Sequence, residues 1–277
     1  MAKVDARGLG PERRWYRCYI FDLDGTVYLG DELLPTVAES INRIRRRGAA
    51  VRFLSNNPTR APEEYARKLT RLGLPTQRHE VANTLVTATR WFRANRPEAV
   101  VYPIGEEPLS DALAGAGIRL SDDPSKIDVV LASYDRSFDY RKLQIAFDAI
   151  WFHKRAVLMS TNPDRYCPFP AGRAQPDAAA VVAAIEACAG VTCQRTFGKP
   201  DPIMLETALE RTGAEPSETL VVGDRLATDI RMARSAGMDA ALVLTGDSRA
   251  EDLALAPPAD CPTLVAGHLA ELLPVAE

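Results

Sequence analysis

Two aspartates, one residue apart, form the chemically most suggestive feature of the chain. Asp22 and Asp24 follow the apolar run Cys18–Phe21, which has the character of a strand buried on both faces. Gly25 permits a sharp turn directly behind them. Two carboxylates this close repel each other unless a cation lies between them or one holds a proton. The pair therefore favours a hard metal ion, a nucleophile with an acid/base partner, or both; an ordinary Asp/Gly turn is the alternative.

Two further polar clusters follow apolar runs. Ser55-Asn56-Asn57 comes after a predicted strand at 50–54, and Gly223-Asp224 comes after a predicted strand at 219–222. The carboxyl ends of parallel strands form the ligand-binding edge of an open sheet, so we expect these clusters beside Asp22. The hydroxyl and N–H donors at Ser55 and Asn56 suit an incoming phosphate. An Asx-type turn that caps the next helix is the alternative.

The ligand atoms that these segments offer are oxygens. Asp22, Asp24 and Asp224 follow apolar runs, Asp229 lies about one helical turn further on, and neither His nor Cys occurs in these loops. Such a set argues against zinc and favours magnesium. Lys199, which precedes a proline, would offset the carboxylate charge and hold a phosphate oxygen. A solvated loop lysine is the alternative there.

Alternating strands and helices are predicted to position these side chains. A helix over 35–47 separates the strands at 18–21 and 50–54, and another helix runs from Pro62 to Gly73. This order and spacing predict a right-handed parallel α/β unit. Its later elements are predicted as helices over 177–189 and 202–213, a strand at 219–222, a helix ending at 236, a strand at 240–244, and a short strand and helix at 263–265 and 269–273.

A second alternation lies between the two parts of the first. Helices are predicted over 81–94, 108–114 and 140–152, and strands over 99–103, 127–132 and 155–160. Each strand ends in small, polar or turn residues, and a Pro/Gly-rich passage at 167–172 leads out of the segment. The pattern predicts a second, self-contained α/β module.

The bulk composition narrows the function classes. The 277 residues are 46% hydrophobic and 26% charged. The net charge of −3 gives no overall electrostatic attraction to nucleic acid or to an anionic membrane. No apolar run is long enough to span a bilayer. Five scattered cysteines are typical of a protein in a reducing compartment. Residues 1–17 are predicted to form a loose leader, and they lack the apolar core of a signal peptide. We therefore expect a cytoplasmic protein.

Four segments, taken in order, resemble the four motifs of the haloacid dehalogenase (HAD) superfamily. They are Asp22-Leu23-Asp24-Gly25-Thr26, Ser55-Asn56-Asn57, Gly198-Lys199-Pro200 and Gly223-Asp224 with Thr228-Asp229. The insertion between the second and third motifs is similar to the cap of subfamily IIA, the NagD-like and 4-nitrophenylphosphatase-type enzymes. The resemblance implies an α/β fold in which a Rossmann-like parallel-sheet core, residues 1–78 and 177–277, carries a large inserted α/β cap, residues 79–176.

The resemblance also implies a mechanism. Asp22 would attack phosphorus and form an aspartyl-phosphate, and Asp24 would protonate the leaving oxygen and then activate water. Mg²⁺ would be held by the carboxylates of Asp22 and Asp224 and by the backbone carbonyl of Asp24. Dehalogenation is disfavoured, because the dehalogenases of the superfamily lack the acid/base aspartate.

The remaining motif residues take supporting roles in this resemblance. Ser55 and backbone N–H groups near Asn56 would bind the transferring phosphoryl group. Lys199 would stabilise Asp22 and the phosphate. Asp229 would support the site without binding the metal itself, by orienting Lys199 or a metal-bound water.

Substrate specificity is expected in the cap. Its loops Ser133-Tyr134-Asp135 and Thr161–Arg165 would face the phosphate, with Asn162 and Asp164 bonding substrate hydroxyls and Arg165 an acidic group. A simple turn at 162–164 and core packing of Tyr134 are the alternatives. The aromatic residues at helix ends serve either internal packing or a cap–cap homodimer contact; these are Trp91, Phe92, Trp151 and Phe152.

The sequence thus predicts a Mg²⁺-dependent hydrolase of small phosphomonoesters. The expected substrates are a sugar phosphate, glycerol phosphate, phosphoglycolate, a nucleotide or pyridoxal phosphate, with neither nucleic acid nor membrane as a partner. Two alternatives stay open. One is a phosphotransferase that passes the phosphoryl group to an acceptor other than water, and the other is a non-catalytic, regulatory protein that binds a phosphometabolite.

Overall fold

The computed structural model describes residues 13–169 and 173–275. By their contacts, the residues form two compact units. The first unit comprises the chain up to Ser55, Tyr65–Ala82, and Leu205 onward. The second unit comprises Asn56–Glu64 and Asn83–Met204. Residues 177–204 thus group with the second unit by contact, and the functional domain boundaries inferred from the sequence, at 78/79 and 176/177, stay a prediction.

Parallel strands build the central sheet of the first unit. Strands and helices are numbered along the chain, and the sheet has the order β14-β13-β12-β1-β4-β5. Its strands are β1 (Cys18–Asp22), β4 (Ala50–Ser55), β5 (Val81–Asn83), β12 (Thr219–Gly223), β13 (Asp239–Val243) and β14 (Leu264–Ala266), and a separate two-stranded ribbon is formed by β2 (Tyr28–Leu29) and β3 (Glu32–Leu33). β1 pairs in parallel with both β12 and β4. The predicted strands at 18–21, 50–54 and 219–222 are therefore confirmed as adjacent strands.

Eight α-helices occur in the described residues. They are α1 (Val37–Arg46), α2 (Pro62–Arg71), α3 (Thr84–Asn95), α4 (Glu107–Gly115), α5 (Tyr140–Phe147), α6 (Ala178–Ala189), α7 (Ile203–Leu209) and α8 (Arg231–Ser235). In the first unit, Tyr19, Phe21 and Phe53 of the sheet pack in one buried cluster with Ile41 and Ile44 of α1. Each of these side chains is almost fully buried, which contributes roughly 1.5–3 kcal/mol per side chain to the folded state. Tyr19 and Phe21 lie on the same face of β1 because side chains alternate between the two faces of a strand, and helical spacing places Ile41 and Ile44 on one face of α1.

A four-stranded parallel sheet forms the centre of the second unit. Its order is β7-β6-β8-β9, with β6 (Val100–Ile104), β7 (Arg119–Leu120), β8 (Val129–Ala132) and β9 (Val157–Ser160). One buried cluster joins Leu85 of α3 and Leu113 of α4 to Val129. Another joins Ile185 of α6 to Val130. Because alternate residues of β8 belong to different clusters, both faces of the sheet are covered, and the predicted α/β fold is confirmed.

The structure corrects one predicted element of the second unit and shows strand structure in another segment. The helix predicted over 81–94 begins only at Thr84, because Val81–Asn83 is β5 and the Asn83 side chain caps α3 by accepting from the Val86 N–H (3.3 Å). Residues 167–169 of the Pro/Gly-rich passage belong to β10 (Tyr166–Phe169), which pairs in the antiparallel direction with β11 (Arg173–Pro176). Residues 170–172 of that passage lie outside the described residues. A two-stranded ribbon tolerates prolines that a central strand would not.

Two further predictions are partly wrong. The helix predicted over 140–152 is α-helical only to Phe147, and residues 148–152 form a wider π-helical turn. Residues 1–12 of the predicted leader lie outside the described residues, but its end is packed. Tyr16 is buried and its hydroxyl donates to Asp239 Oδ2 (2.8 Å), while the Arg47 guanidinium lies over the Trp15 ring.

The aromatic residues at helix ends divide into two kinds. Trp91 and Phe92 pack with Phe197, with ring centroids 5.3 and 5.7 Å from it, so the packing alternative is correct for them. Trp151 and Phe152 are 55% and 67% exposed, although the Trp151 ring stacks on that of Phe147 with the centroids 5.2 Å apart. The homodimer contact stays a prediction.

Membrane insertion through a helix has no support in the described part of the chain. No helix there combines the length and the apolar character needed to cross a bilayer.

Candidate active site

Three carboxylates gather at one edge of the sheet in the first unit. Asp22 is the last residue of β1, and Asp224 directly follows the neighbouring strand β12. Asp229 lies in the helical turn Leu226–Ile230 that comes next. One oxygen from each of the three carboxylates lies within 4.8 Å of the others. Their side chains are nearly buried, so this concentration of negative charge is an arrangement that can hold a divalent cation.

Two glycines make room for the Asp224 carboxylate. A Cβ at Gly25 would lie 2.5 Å from Asp224 Oδ2, and a Cβ at Gly246 would lie 2.0 Å from the same atom. Gly25 also has a φ of +85°, which favours glycine. The backbone N–H of Asp247 donates to Asp224 Oδ2 (2.7 Å). The carboxylate is thus cradled by backbone on two sides, as a coordinating group with a fixed position requires.

The chemistry of the donors fits a hard cation. The three carboxylates of this group supply oxygen ligands, which Mg²⁺ and Ca²⁺ prefer. Part of the negative charge is already balanced by Arg225, whose Nε lies 3.8 Å from Asp247 Oδ2. Burial opposes the charge of this guanidinium, but the neighbouring carboxylates outweigh burial and raise the pKa of Arg225; they are Asp224, Asp247, Asp22 and Asp229.

Asp24 is not a member of this group of three carboxylates. It is exposed, and the hydroxyl of Tyr28 donates to its Oδ2 at 3.4 Å. The backbone closes a tight turn here, because the N–H of Gly25 donates to the carbonyl of Tyr28 (2.9 Å). The ammonium of Lys68 lies 3.8 Å from the centre of the Tyr28 ring. An exposed carboxyl group is suited to exchange protons with a leaving group or with water.

Ser55 lies at the same sheet edge as Asp22. Asp22 is level with Leu54 in the register of β1 and β4, so Ser55 is one residue beyond it. Ser55 is 4% exposed. Three adjacent parallel strands therefore end in Asp22, Ser55 and the Gly223-Asp224 segment, as the sequence predicts. Ligands bind at this edge in open α/β sheets.

In the second unit, Asn56 and Lys199 are joined by the side-chain amide of Asn56. Its Oδ1 accepts from the backbone N–H of Lys199 (2.7 Å), and its Nδ2 donates to the Lys199 carbonyl (3.1 Å) and to Asp164 Oδ2 (2.9 Å). Lys199 is 5% exposed. The predicted role of Asn56 used its backbone; the use of its side chain as a clamp was not predicted.

The residues of the second unit that were predicted to contact substrate form most of their hydrogen bonds within the protein. Asn162 is fully buried, and its Nδ2 donates to Asp164 Oδ2 (2.9 Å) and Asp177 Oδ1 (3.0 Å), so both amide hydrogens are used. Asp164 Oδ2 accepts from two amides. Arg165 is exposed, and its contact with an acidic group of the substrate stays a prediction.

The other predicted specificity loop shows the same internal bonding. The hydroxyls of Ser133 and Thr161 lie 2.8 Å apart, and Asp135 Oδ2 accepts from Lys142 Nζ (2.6 Å). Tyr134 is buried, and its hydroxyl bonds to Gln175. These contacts give all three residues a structural function, and their role in specificity stays a prediction.

Comparison with known proteins supplies the family. A family model described as haloacid dehalogenase-like hydrolase matches residues 19–119, and a second, HAD-hydrolase-like, matches residues 196–272. The 5'-nucleotidase YutF of Bacillus subtilis is 34% identical over 239 residues, which cover 86% of this chain and 91% of the relative. The chain belongs to the haloacid dehalogenase-like hydrolases. The predicted family and the predicted enzyme class, a phosphoric monoester hydrolase, are confirmed.

Solved structures of HAD-like hydrolases resemble this one along most of the chain. The 4-nitrophenylphosphatase of Thermotoga maritima superimposes with a TM-score of 0.86 at 29% identity, covering 93% of this chain and 96% of that one. The glycerol phosphate phosphatase of Mycobacterium tuberculosis, in complex with magnesium, superimposes with a TM-score of 0.84 at 30% identity, covering 93% and 76%.

Three features of this HAD-like hydrolase were missed by sequence reasoning. They are the glycine cradle at Gly246, the cation of Arg225 and the side-chain clamp of Asn56. Arg225 directly follows the motif aspartate Asp224, so its position was a usable signal. Gly246 follows β13 at a distance from every motif, and only the knowledge that β13 neighbours β12 would have identified it.

Proposed function

We propose that this chain is a Mg²⁺-dependent phosphatase that hydrolyses small phosphomonoester metabolites through an aspartyl-phosphate. The observation that carries the proposal is the group formed by Asp22, Asp224 and Asp229, whose oxygens lie within 4.8 Å of one another. The names of the similar proteins add support, since one is a 5'-nucleotidase, one a 4-nitrophenylphosphatase and one a glycerol phosphate phosphatase.

The first step transfers the phosphoryl group to the enzyme. A carboxylate oxygen of Asp22 attacks phosphorus in line with the ester oxygen, and a new O–P bond forms as the ester P–O bond breaks. Asp24, in its protonated form, gives its proton to the leaving alkoxide, which departs as an alcohol. The exposed position of Asp24 and its bond from Tyr28 suit this proton transfer, because the carboxyl group is reachable and held in one orientation.

The second step releases phosphate. Asp24, now a carboxylate, takes a proton from a water molecule whose oxygen attacks the phosphorus of the aspartyl-phosphate. The bond between phosphorus and the Asp22 oxygen breaks, which regenerates the Asp22 carboxylate and the protonated Asp24. One carboxyl group therefore serves as acid and then as base.

The carboxylates of Asp22 and Asp224 and the backbone carbonyl of Asp24 would hold Mg²⁺, with Asp229 in supporting contact. When bound, the ion neutralises phosphate charge and orients the phosphoryl group for in-line attack. Ser55 and backbone N–H groups near Asn56 would bind the equatorial phosphate oxygens, and Lys199 would add a positive charge. Such preorganised donors and charges stabilise the charge that builds up on the phosphoryl oxygens.

The two alternatives differ from this proposal in measurable ways. A phosphotransferase would form product only in proportion to an added acceptor alcohol. A non-catalytic binding protein would bind phosphate esters without turnover, and the presence of a nucleophile together with a general acid disfavours it, because binding alone requires no general acid. The individual metabolite, the cytoplasmic location and a cap–cap homodimer stay predictions.

The decisive experiment measures phosphate release from 4-nitrophenyl phosphate and a metabolite panel, with Mg²⁺ and with EDTA. The panel contains glycerol phosphate, phosphoglycolate, sugar phosphates, 5'-nucleotides and pyridoxal phosphate. We expect Mg²⁺-dependent turnover, a fall of kcat by at least about 10³-fold in Asp22→Asn, and wild-type rates in Asp111→Asn, an exposed aspartate of α4. Folded, Mg²⁺-loaded protein without turnover on any ester would contradict the proposal.

A further inference from the structure

We propose that Asn56 is a positioning residue, which fixes Lys199 through its side-chain amide and makes no side-chain contact with the substrate. The proposal rests on the proposed function, because it takes Lys199 as a group that stabilises the transferring phosphoryl group. It adds a further component, an amide clamp that holds the segment from which the lysine projects.

The clamp grips one residue at two points. Asn56 Oδ1 accepts from the Lys199 N–H at 2.7 Å, and Asn56 Nδ2 donates to the Lys199 carbonyl at 3.1 Å. An amide side chain has one acceptor and two donor hydrogens in a single plane. Bonds to both backbone groups of the same residue therefore fix the orientation of that segment as well as its position.

The segment around Lys199 relies on such bonds. Residues 198–202 form turns that belong to neither a helix nor a strand, so no ladder of backbone hydrogen bonds holds them. The approach is also close: a Cβ at Gly198 would lie 2.7 Å from Asn56 Oδ1 and 2.9 Å from the Thr161 carbonyl oxygen. Gly198 is thus a glycine because the clamp and the neighbouring backbone leave no space for a side chain.

Asn56 is in turn held by a chain of hydrogen bonds. Its Nδ2 donates to Asp164 Oδ2 (2.9 Å), which also accepts from Asn162 Nδ2 (2.9 Å). Asn162 donates its other amide hydrogen to Asp177 Oδ1, and this same oxygen accepts from the Ala178 N–H at the start of α6. Networks of this kind hold their members more firmly than isolated bonds do. The clamp is therefore anchored to the first turn of a helix.

The mechanical consequence concerns the lysine ammonium. A lysine is a point charge on a flexible stem, so the placement of its charge depends on how well its backbone is fixed. Charge that stabilises a transition state has to be held within about 0.5 Å of its productive position. Loss of the clamp leaves the charge of Lys199 in the protein but lets its backbone drift. We expect kcat/KM to fall by about 10- to 100-fold in Asn56→Ala, the range seen for outer-shell residues.

A double-mutant cycle separates this role from a direct substrate contact. The variants are Asn56→Ala, Lys199→Met and the combination, assayed for kcat/KM on 4-nitrophenyl phosphate. If Asn56 acts through Lys199, its replacement costs 10- to 100-fold in the wild type and nothing further in Lys199→Met. An equal reduction of kcat/KM by Asn56→Ala in the wild-type and Lys199→Met proteins would overturn the proposal. Asn95→Ala serves as the control, because this exposed amide donates only to a carbonyl of its own helix.

Asn56→Asp covers the case in which the alanine variant does not fold. The aspartate keeps the shape and the acceptor for the Lys199 N–H but loses both donated bonds. It too should lower kcat/KM in the wild type and have no effect in Lys199→Met; an equal effect in the two backgrounds again contradicts the clamp.

Hydrogen exchange tests the clamp without reference to catalysis. The Lys199 amide, bonded to Asn56 Oδ1, should exchange at least about 10-fold faster in Asn56→Ala than in the wild type. Unchanged exchange would refute the clamp even in an active enzyme. Faster exchange in Asn56→Ala, together with a wild-type protein that releases no phosphate, would instead confirm the clamp and refute the proposed function, so the two failures are distinguishable.

Discussion

Gly246→Ala should weaken metal binding, although Gly246 belongs to no motif of the sequence. Its Cβ would lie 2.0 Å from Asp224 Oδ2, 2.6 Å from Asp224 Cγ and 2.8 Å from Asp224 Cβ. A change of rotamer at the tip of the aspartate cannot relieve all three contacts. The carboxylate is also tied by the N–H of Asp247 (2.7 Å). The added methyl group must therefore displace the whole Asp224 side chain or the loop that carries residue 246.

The size of the effect follows from the overlap. An ordinary carbon–oxygen contact is about 3.3 Å, so the Asp224 oxygen has to withdraw by more than about 1 Å. Magnesium ligands lie at about 2.0–2.1 Å with a tolerance of about 0.2 Å, so a displaced carboxylate no longer coordinates well. We expect the Kd for Mg²⁺ to rise by about 10- to 100-fold, which corresponds to about 1.4–2.7 kcal/mol. The apoprotein should lose about 1–3 kcal/mol of stability through overpacking.

The assay is isothermal titration of the EDTA-treated protein with MgCl₂, beside thermal unfolding with and without the ion. Gly267→Ala is the matched control, because its Cβ would approach nothing closer than 3.5 Å. A Gly246→Ala protein that binds Mg²⁺ as tightly as the wild type and the control would refute the reasoning. It would mean that the Asp224 carboxylate does not hold the ion in the position described.

Two further perturbations test the charge balance of the first unit. Arg225→Gln removes the cation beside the carboxylate group, so Tm in EDTA should fall and the gain in Tm on adding Mg²⁺ should exceed that of the wild type. Arg249→Gln, at an exposed arginine, is the control and should change neither quantity. An unchanged gain in Tm on adding Mg²⁺ to Arg225→Gln would contradict this prediction. Burial raises the pKa of the Cys18 thiol from 9.0 to about 11. Between these two pH values the folded state keeps the proton and the unfolded state loses it. The free energy of unfolding should therefore fall between pH 9 and 11, by up to about 1.4 kcal/mol per pH unit for this group. Urea titrations across this range should show a shallower decline in Cys18→Ala, and equal slopes would rule out the thiol as a cause.

The strands that carry the site were predictable because each has its own local signal. Cys18–Phe21, Ala50–Leu54 and Thr219–Val222 are mainly apolar segments that end abruptly in polar or glycine residues, and the structure confirms all three strands. β5 was not predictable in this way. Val81–Asn83 is too short for an alternating pattern to show, and the apolar residues of the following helix extend the helical period back over it.

The contacts made by the site residues were less accessible to sequence reasoning. A motif identifies Asn56, but the partner of its side chain is 143 residues away, and only the folded backbone brings the two together. The hydrogen bonds of Asn162 were equally inaccessible, and its contact with substrate stays a prediction. A polar residue in a loop was expected to contact substrate, yet its buried amide is consumed by Asp164 and Asp177. Local composition predicts that a residue is polar, and tertiary neighbours decide whether its polar atoms remain available.

The strand order of the first unit has a consequence for synthesis. Asp22 leaves the ribosome early on β1, whereas its neighbour Asp224 follows β12, and β1 lies between β12 and β4 in the sheet. A nascent chain that ends before β12 contains Asp22, the proposed nucleophile, but lacks Asp224 and Asp229 of the carboxylate group. The group of three carboxylates can therefore form only after β12 has been synthesised, and one edge of β1 stays unpaired until then. A cation held by these three carboxylates would therefore bind only after β12 has joined the sheet.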